Sequence, residues 1–426
     1  MPQTAPIERV RADADFGPTA AFAPSFDDLL ASGEPELMRG ALRGWLAMGD
    51  RGGNRADATY VYEEWLRAGG EPEMIRESLA QWLAGNATTA SNAAAEEASF
   101  VCQAWLRAGG EPELVRDALG AWAELHGQLP VASFLYRAWL SAGGEVQAFS
   151  GPICDWLAAH TNDEGEAHSL YCAWLEHGGE PALVAPSLER GLAAHAQDEP
   201  VGPVCASWLR AGGDPRLIVE PAVRWLGAHA QSERACFLYT AWLDAGGRRE
   251  LLRTPIERWL SVHGDSLGSS FVYDAWLKAG GEPEPIRASL VGWLEANAAA
   301  KGASFLYEAW LKAGGEPALV RDAIGVWLAE HSGLTPGVPY LYEAWFAAGG
   351  DPELVREPIR DWLTVNATKL SASFVLQEWL ENGGEPAVIS DSLLRWMRVH
   401  GQSVCARYVR RAWVEAGQLP VTATGQ

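Results

Sequence analysis

The sequence predicts an all-α chain of about eleven helical hairpins stacked side by side as an α-solenoid. Three observations predict it. All 21 tryptophans fall on two lattices: a first series, from Trp65 to Trp413, recurs every 34 or 35 residues after one step of 40. A second series, from Trp45 to Trp396, follows 17 residues behind members of the first. A Gly-Gly pair stands four residues after the first-series Trp in ten of eleven copies, and the apolar residues between these marks keep helical spacing.

The copy at residues 304–333 shows the elements in order. Its first arm, A, carries Phe305, Leu306, Ala309, Trp310 and Ala313 at helical intervals, with Tyr307 and Leu311 widening the apolar stripe. Only Glu308 and Lys312 stay polar, which leaves one narrow strip for solvent. Arm A ends at Gly314-Gly315, where glycine past a helix end takes the left-handed conformation and a second glycine permits a sharp reversal. An acid-proline pair then opens the second arm, as in Glu71-Pro72, Glu316-Pro317 and Asp351-Pro352, with proline in a first turn where its missing N–H costs nothing.

Arm B presents Leu319, Val320, Ile324, Trp327 and Leu328 on one face. Pro152, Pro221, Pro255 and Pro358 occupy one equivalent position inside this arm, so it is expected to be kinked or split by proline. Thr254, Asp322 or Asp391 would then cap the Trp-bearing part. Two buried indoles cannot offset the conformational entropy of ordering a whole hairpin, so the units must stack to fold.

The domain reading follows from these marks. Residues 1–24 read as a flexible extension and 25–417 as one repeat domain, flanked by a tail at 418–426. Residues 25–50 form a degenerate capping copy with Asp28 in place of the first Trp, and the last copy, 403–417, is truncated. The 40-residue step places an exposed insertion loop at 87–97. Gly191 is the internal gap in the second Trp series, and the hairpin around it is expected to be locally the weakest, with fast amide exchange.

At this point the chain resembles the α-solenoid superclass, with a period closest to tetratricopeptide repeats and a proline break more like HEAT repeats. The tetratricopeptide pattern W-x₂-L-G-x₂-Y does not match the A-W-L-x-A-G-G-E-P seen here, so the resemblance is to the superclass, over about residues 25–417. It implies a right-handed superhelix with a concave surface for partner proteins or peptides.

Charge narrows the partner class. With 55 acidic against 33 basic residues the formal net charge is −22, which opposes binding to nucleic acid or anionic membrane and favours a basic or neutral protein. The strong preference for Arg over Lys, beside abundant Ala and Gly, fits a GC-rich bacterial genome. Six cysteines without a C-x-x-C pair signal neither a disulfide framework nor a zinc site, and reduced cytoplasmic thiols are expected. The first 24 residues lack a signal-peptide core, and no run reaches the length of a membrane span.

Comparison of the copies locates the candidate site. Framework positions barely change, whereas those two before and two after the first-series Trp vary freely. The expected partner-binding strip therefore comprises Arg67, Arg107, Arg137, Arg210, Asp244, Asp274, Lys278, Glu308, Lys312, Glu343 and Gln377. Tyrosine three before the Trp, as in Tyr62, Tyr136, Tyr239 and Tyr307, reads as core with a wet hydroxyl. Histidine or asparagine near the end of arm B, including His160, His229, His263, His331, His400, Asn86, Asn297 and Asn366, reads as a helix-end cap. No catalytic, cofactor or metal constellation is expected. The functional expectation is a non-catalytic scaffold or recognition module that binds a protein or peptide on the concave surface. The alternatives are a self-assembling spacer or ring, and an α/α-toroid enzyme with a carboxylate site, against which eleven short hairpins argue.

Overall fold

The computed structural model describes residues 33–48, 58–86, 92–161, 164–331 and 337–417, and every regular element among them is helical. The chain is an α-solenoid whose helices divide into two compact units, Met1–Gly144 and Glu145–Gln426. The first unit contains α1 (Pro35–Met48), α2 (Ala58–Arg67), α3 (Arg76–Asn86), α4 (Asn92–Arg107), α5 (Pro112–His126) and α6 (Ala132–Ser141). The second opens with α7 (Ser150–Ala159), α8 (Glu164–Glu176), α9 (Pro181–His195), α10 (Val201–Arg210), α11 (Pro215–His229), α12 (Ala235–Asp244), α13 (Arg253–His263) and α14 (Ser270–Lys278). It continues through α15 (Arg287–Asn297), α16 (Ala303–Lys312), α17 (Pro317–His331), α18 (Val338–Ala347), α19 (Pro352–Asn366), α20 (Ala372–Glu381), α21 (Pro386–His400) and α22 (Ala406–Glu415).

Within each unit the A arms pack side by side as one layer: α2, α4 and α6 in the first, and the even-numbered helices from α8 to α22 in the second. B arms form the other layer, as in α7 with α9 and in the odd-numbered helices from α15 to α21. From Trp65 to Trp396 every tryptophan of either series is buried except Trp82, which is half-buried. Alanine one before the first-series Trp, as at Ala138, Ala241, Ala275, Ala309 and Ala344, is also buried and lets neighbouring A arms approach closely.

Each Gly-Gly pair does two different jobs. After α16, the Gly315 N–H bonds the Trp310 carbonyl at 2.9 Å and the Gly314 N–H bonds Leu311 at 3.0 Å, which is a Schellman end with Gly314 at φ +80°. Gly315 serves the indole instead. A Cβ there would lie 2.3 Å from Trp310 Cε2, so the ring needs a residue with no side chain beneath it. The ring edge is then fixed by Nε1, which donates to the Glu316 carbonyl at 3.1 Å. The same bond to the residue six places on recurs from Trp65 to Glu71 at 2.9 Å and from Trp379 to Glu385 at 3.0 Å.

Second-series rings look backwards along the array. Trp259 Nε1 donates to the Ser232 carbonyl at 2.9 Å, Trp327 to Ala300 at 3.1 Å and Trp396 to Lys369 at 3.1 Å. The first series thus closes its own hairpin, while the second ties one hairpin to the one before. Histidine near the end of arm B joins this tie in several copies, whereas at His160 the expected helix end is seen, with Nδ1 2.9 Å from the Trp156 carbonyl. Nε2 of His229, His263 and His400 lies 2.8 Å from the carbonyls of Gln197, Gln231 and Thr368, and since a carbonyl only accepts, the ring donates. Asn297 does the same to Asp265 at 2.8 Å. The expected capping of the residue's own arm is seen at Asn86 and Asn366, whose amides donate to Trp82 and Trp362 at 2.7 and 2.9 Å.

Arm B takes two forms. Four arms begin with a 3₁₀ turn, at Pro72–Ile75, Val146–Phe149, Arg249–Leu251 and Glu284–Ile286, before the α-helix. Pro152 and Pro255 sit in two of these, but Ser78 and Ser289 hold the same position in the others. Pro221 and Pro358 lie inside unbroken helices, α11 and α19. Proline removes one bond at that point, and packing of the arm against its neighbours holds the helix together across it. Thr254, Asp322 and Asp391 are therefore helix residues and not caps. Capping falls to Asp214 and Asp351, which accept from the N–H of Arg216 and Glu353 at 2.9 and 3.0 Å. Glutamate at the equivalent place, as at Glu111 and Glu385, makes no such bond.

Glu of the acid-proline pair instead meets an arginine of the preceding hairpin. Arg76 pairs with Glu111 at 3.0 Å, Arg287 with Glu316 at 2.8 Å and Arg356 with Glu385 at 2.8 Å. These exposed pairs set register more than they add stability. Residues 92–97, expected in the insertion loop, belong to α4, as their Ala- and Glu-rich sequence favours. Gly191 is buried within an unbroken α9, where an added Cβ would meet only the Thr161 carbonyl oxygen, at 3.5 Å. The extension 1–24, Asp28, the rest of the loop at 87–91 and the tail 418–426 lie outside the described residues.

Candidate partner-binding strip

An α-helix turns about 100° per residue, so positions five before, two before and two after the first-series Trp lie about 220°, 160° and 200° around the arm from the indole. All three face away from the core. The residues two after, among them Arg67, Arg107, Arg210, Asp244, Lys278 and Lys312, are exposed. Those two before are mostly half-buried, as at Arg137, Asp274, Glu308 and Gln377, while Glu343 is exposed. The structure thus brings the eleven expected residues onto the outer face of the A arms, in each unit separately.

The two rows then pair with each other, being four residues apart. Lys278 meets Asp274 at 2.7 Å, Lys312 meets Glu308 at 2.6 Å, Arg411 meets Glu415 at 2.8 Å and Gln377 donates to Glu381 at 2.9 Å. Carboxylates also face one another across adjacent arms. Burial raises the Asp274 carboxyl above its ordinary range, and Asp244 and Glu308 on the flanking arms add to the rise against the pull of Lys278. Glu378, standing where most copies have alanine, is raised by burial and by Glu343 and Glu381.

A third row escaped the sequence reading. Five before the Trp, nine of eleven copies carry Phe or Tyr, and Phe305 was expected to pack in arm A's apolar stripe. The rings are exposed instead. From α12 to α22, Phe237, Phe271, Phe305, Tyr340, Phe374 and Tyr408 stand one per arm with 43 to 72% of their surface open. In the first unit Tyr60 and Phe100 are likewise exposed. The signal was present in the spacing, since this position lies three residues before one polar row and seven before the other. An unbroken apolar stripe cannot wrap that far around a helix with only one layer of neighbours.

The chain's own arginines already use these rings. The Arg210 guanidinium lies 5.7 Å from the Phe237 ring centre on the next arm and donates to the Phe237 carbonyl at 3.2 Å. Arg137 lies 5.3 Å from the ring of Phe134. Such geometry is that of a cation over an aromatic face.

The tyrosines three before the Trp belong to the core side, about 60° from the indole. Their hydroxyls are not wet: Tyr239 and Tyr307 donate to the Ala230 and Ala298 carbonyls at 2.7 Å, and Tyr136 to Gly127 at 3.2 Å. Burial pushes the Cys102 thiol up to about 12 and the Cys172 thiol up to about 11, which keeps both protonated and poor nucleophiles. No group of three His, Cys, Asp or Glu among the described residues is arranged to hold a metal ion. No helix among them is long and apolar enough to cross a membrane.

No protein-family model matches the chain, and no curated protein matches it. Among solved structures it is similar to a circular tandem repeat protein with novel repeat topology and enhanced subunit contact surfaces. That likeness has 15% identity and a TM-score of 0.19, over 91% of this chain and 94% of that one. At that score it supports no reading of shape or function, and the helical-repeat architecture stands on the geometry above.

Proposed function

We propose that the protein is a non-catalytic scaffold, or recognition module, that binds a protein or peptide along the outer face of its A arms, on the concave side of the array. The observation that carries this reading is the row of exposed aromatic rings, one per arm across six successive arms. Solvent-exposed rings cost solubility and contribute nothing to the core, and contiguous ones mark interaction surfaces. The variable polar rows beside them supply what differs from arm to arm, which is what recognition of an irregular partner needs. Neither nucleic acid nor anionic membrane suits a chain of net charge −22, and the reduced thiols fit a cytoplasmic protein.

Affinity purification from the native cell tests it. Wild type would be compared with a variant reversing the charge of Arg107, Arg210, Lys278 and Lys312 and with one carrying Phe271→Ala, Phe305→Ala and Phe374→Ala. Loss of the same partner from both is expected. Retention of every partner by both removes the strip from consideration.

A further inference from the structure

We propose that the aromatic row from Phe237 to Tyr408, with the carboxylates beside it, is a docking track for an extended segment of a partner protein that carries arginine or lysine at every third residue. The inference rests on the scaffold reading and adds the chemistry of the partner. Charge complementarity commits the track to a basic occupant. The three cations among the polar positions of these arms, Lys278, Lys312 and Arg411, are each bound to a carboxylate of their own helix. Asp244, Glu343, Glu378 and Glu381 then have no salt bridge among the described residues, although Glu378 accepts from Asn382 and Glu381 from Gln377. Asp274 is half-buried, and its Oδ1, closed off from solvent, has no hydrogen-bond partner.

Rings and carboxylates side by side recognise one class of group best. A guanidinium or ammonium can lie over a ring and reach a carboxylate at its edge, gaining from both. Arg210 over Phe237 shows the ring half of this arrangement made from within the chain, its hydrogen bond going to the Phe237 carbonyl. An acidic or purely apolar segment would leave the carboxylates uncompensated, at the cost of desolvating charge. Burial is the main cause of the raised Asp274 and Glu378 carboxyls, neighbouring acids add to the rise in both, and a cation laid along the track would relieve that added repulsion.

Spacing gives the period. Packed helices lie about 8–10 Å apart, so the rings recur at about that interval. Three residues of polyproline II advance about 9 Å and complete one turn, which returns the side chain to the same face. Each third side chain of such a segment therefore meets the next arm, with no need for the segment to bend.

Three synthetic peptides test this by calorimetry on the full-length protein. One has five Arg-Pro-Val repeats, the second has Glu for every Arg, and the third has the first composition with all its arginines clustered at one end. The periodic peptide is expected to bind about tenfold or more tighter than the clustered one, and the Glu peptide not to bind. Phe271→Ala, Phe305→Ala and Phe374→Ala together should weaken the periodic peptide about tenfold with an unchanged helical circular dichroism spectrum, and Asp244→Asn with Glu343→Gln should flatten its salt dependence. Equal binding of periodic and clustered peptides overturns the period, and binding of the Glu peptide, or of none, overturns the basic occupant. Sedimentation of the protein alone provides the remaining check: a change of oligomeric mass in the triple Phe→Ala variant, the ladder variant, would assign the face to a second copy and overturn the proposal. If the peptides fail while the ladder variant still loses its native partner, only the partner chemistry is wrong.

Discussion

Trp310 and Phe305 stand five residues apart on one ten-residue helix, both large and aromatic, yet the first is 1% exposed and the second 61%. Composition does not separate them; the angle around the helix does. One ring is enclosed by its own Gly-Gly turn and by neighbouring arms, while the other points where a two-layer array has nothing to offer it. The difference teaches that aromatic residues in this chain serve two purposes, and that their position relative to the Gly-Gly pair decides which.

Replacing each ring would break or sharpen that contrast most directly. Trp310→Ala should cost about 3–5 kcal/mol, whereas Phe305→Ala should stay within about 0.5 kcal/mol, in urea unfolding followed by circular dichroism. A comparable loss at Phe305 would make the outer row part of the core. The two glycines after the arm give the next largest effect. Gly315→Ala drives a methyl into the Trp310 ring and should cost about 2–3 kcal/mol or more, while Gly314→Ala meets no atom and should cost about 1–2 kcal/mol through its backbone angle alone. Equal costs would mean that the indole moves aside freely.

The core side also responds to alkali. Burial pushes the Tyr171 hydroxyl up to about 12, and burial likewise raises Tyr239, Tyr273 and Tyr307. Unfolded tyrosines ionise near 10, so the stability tied to keeping these groups neutral is fully present below that pH. It is lost as pH rises from there through the folded values. Melting temperatures should be level up to about pH 9 and fall steeply between about pH 10 and pH 12, and Tyr239→Phe should soften the fall. A curve unchanged by that substitution would remove Tyr239 from the account. The smallest effect belongs to the boundary between the two faces. Glu378→Ala restores the alanine of the other arms and removes a crowded, half-buried carboxylate, so it should raise stability by about 0.5–1 kcal/mol in the same urea assay. A loss would show that Glu378 makes a favourable contact.

Much of this was readable in advance, because it repeats. Tryptophan and Gly-Gly recur with one period, and each act is local: the Schellman turn needs Gly314 within five residues of Trp310, and the acid-proline start follows at once. The strip of eleven polar residues was equally legible, since variation at fixed helical angles marks a face that packing does not constrain. The exposed row is hidden in the sequence because phenylalanine at the position of Phe305 reads as core by residue type, and only its angle around the helix places it outside. The split of arm B was read from Pro152, Pro221, Pro255 and Pro358, but Pro221 and Pro358 lie in unbroken helices while Ser78 and Ser289 accompany the break, so proline does not decide it.

By itself, then, the sequence determined the hairpin, its length, its turn and the number of copies, since those depend on residues within one turn of one another. Only the tertiary structure decided why the second glycine is needed, which carbonyls the bonded indoles and histidines hold, and which aromatic row is left outside. The second-series indoles and most of the histidines depend on atoms about one period away along the chain, as with His263 and Gln231, a distance that no local pattern carries, while the second glycine depends on where the indole of its own arm folds in three dimensions.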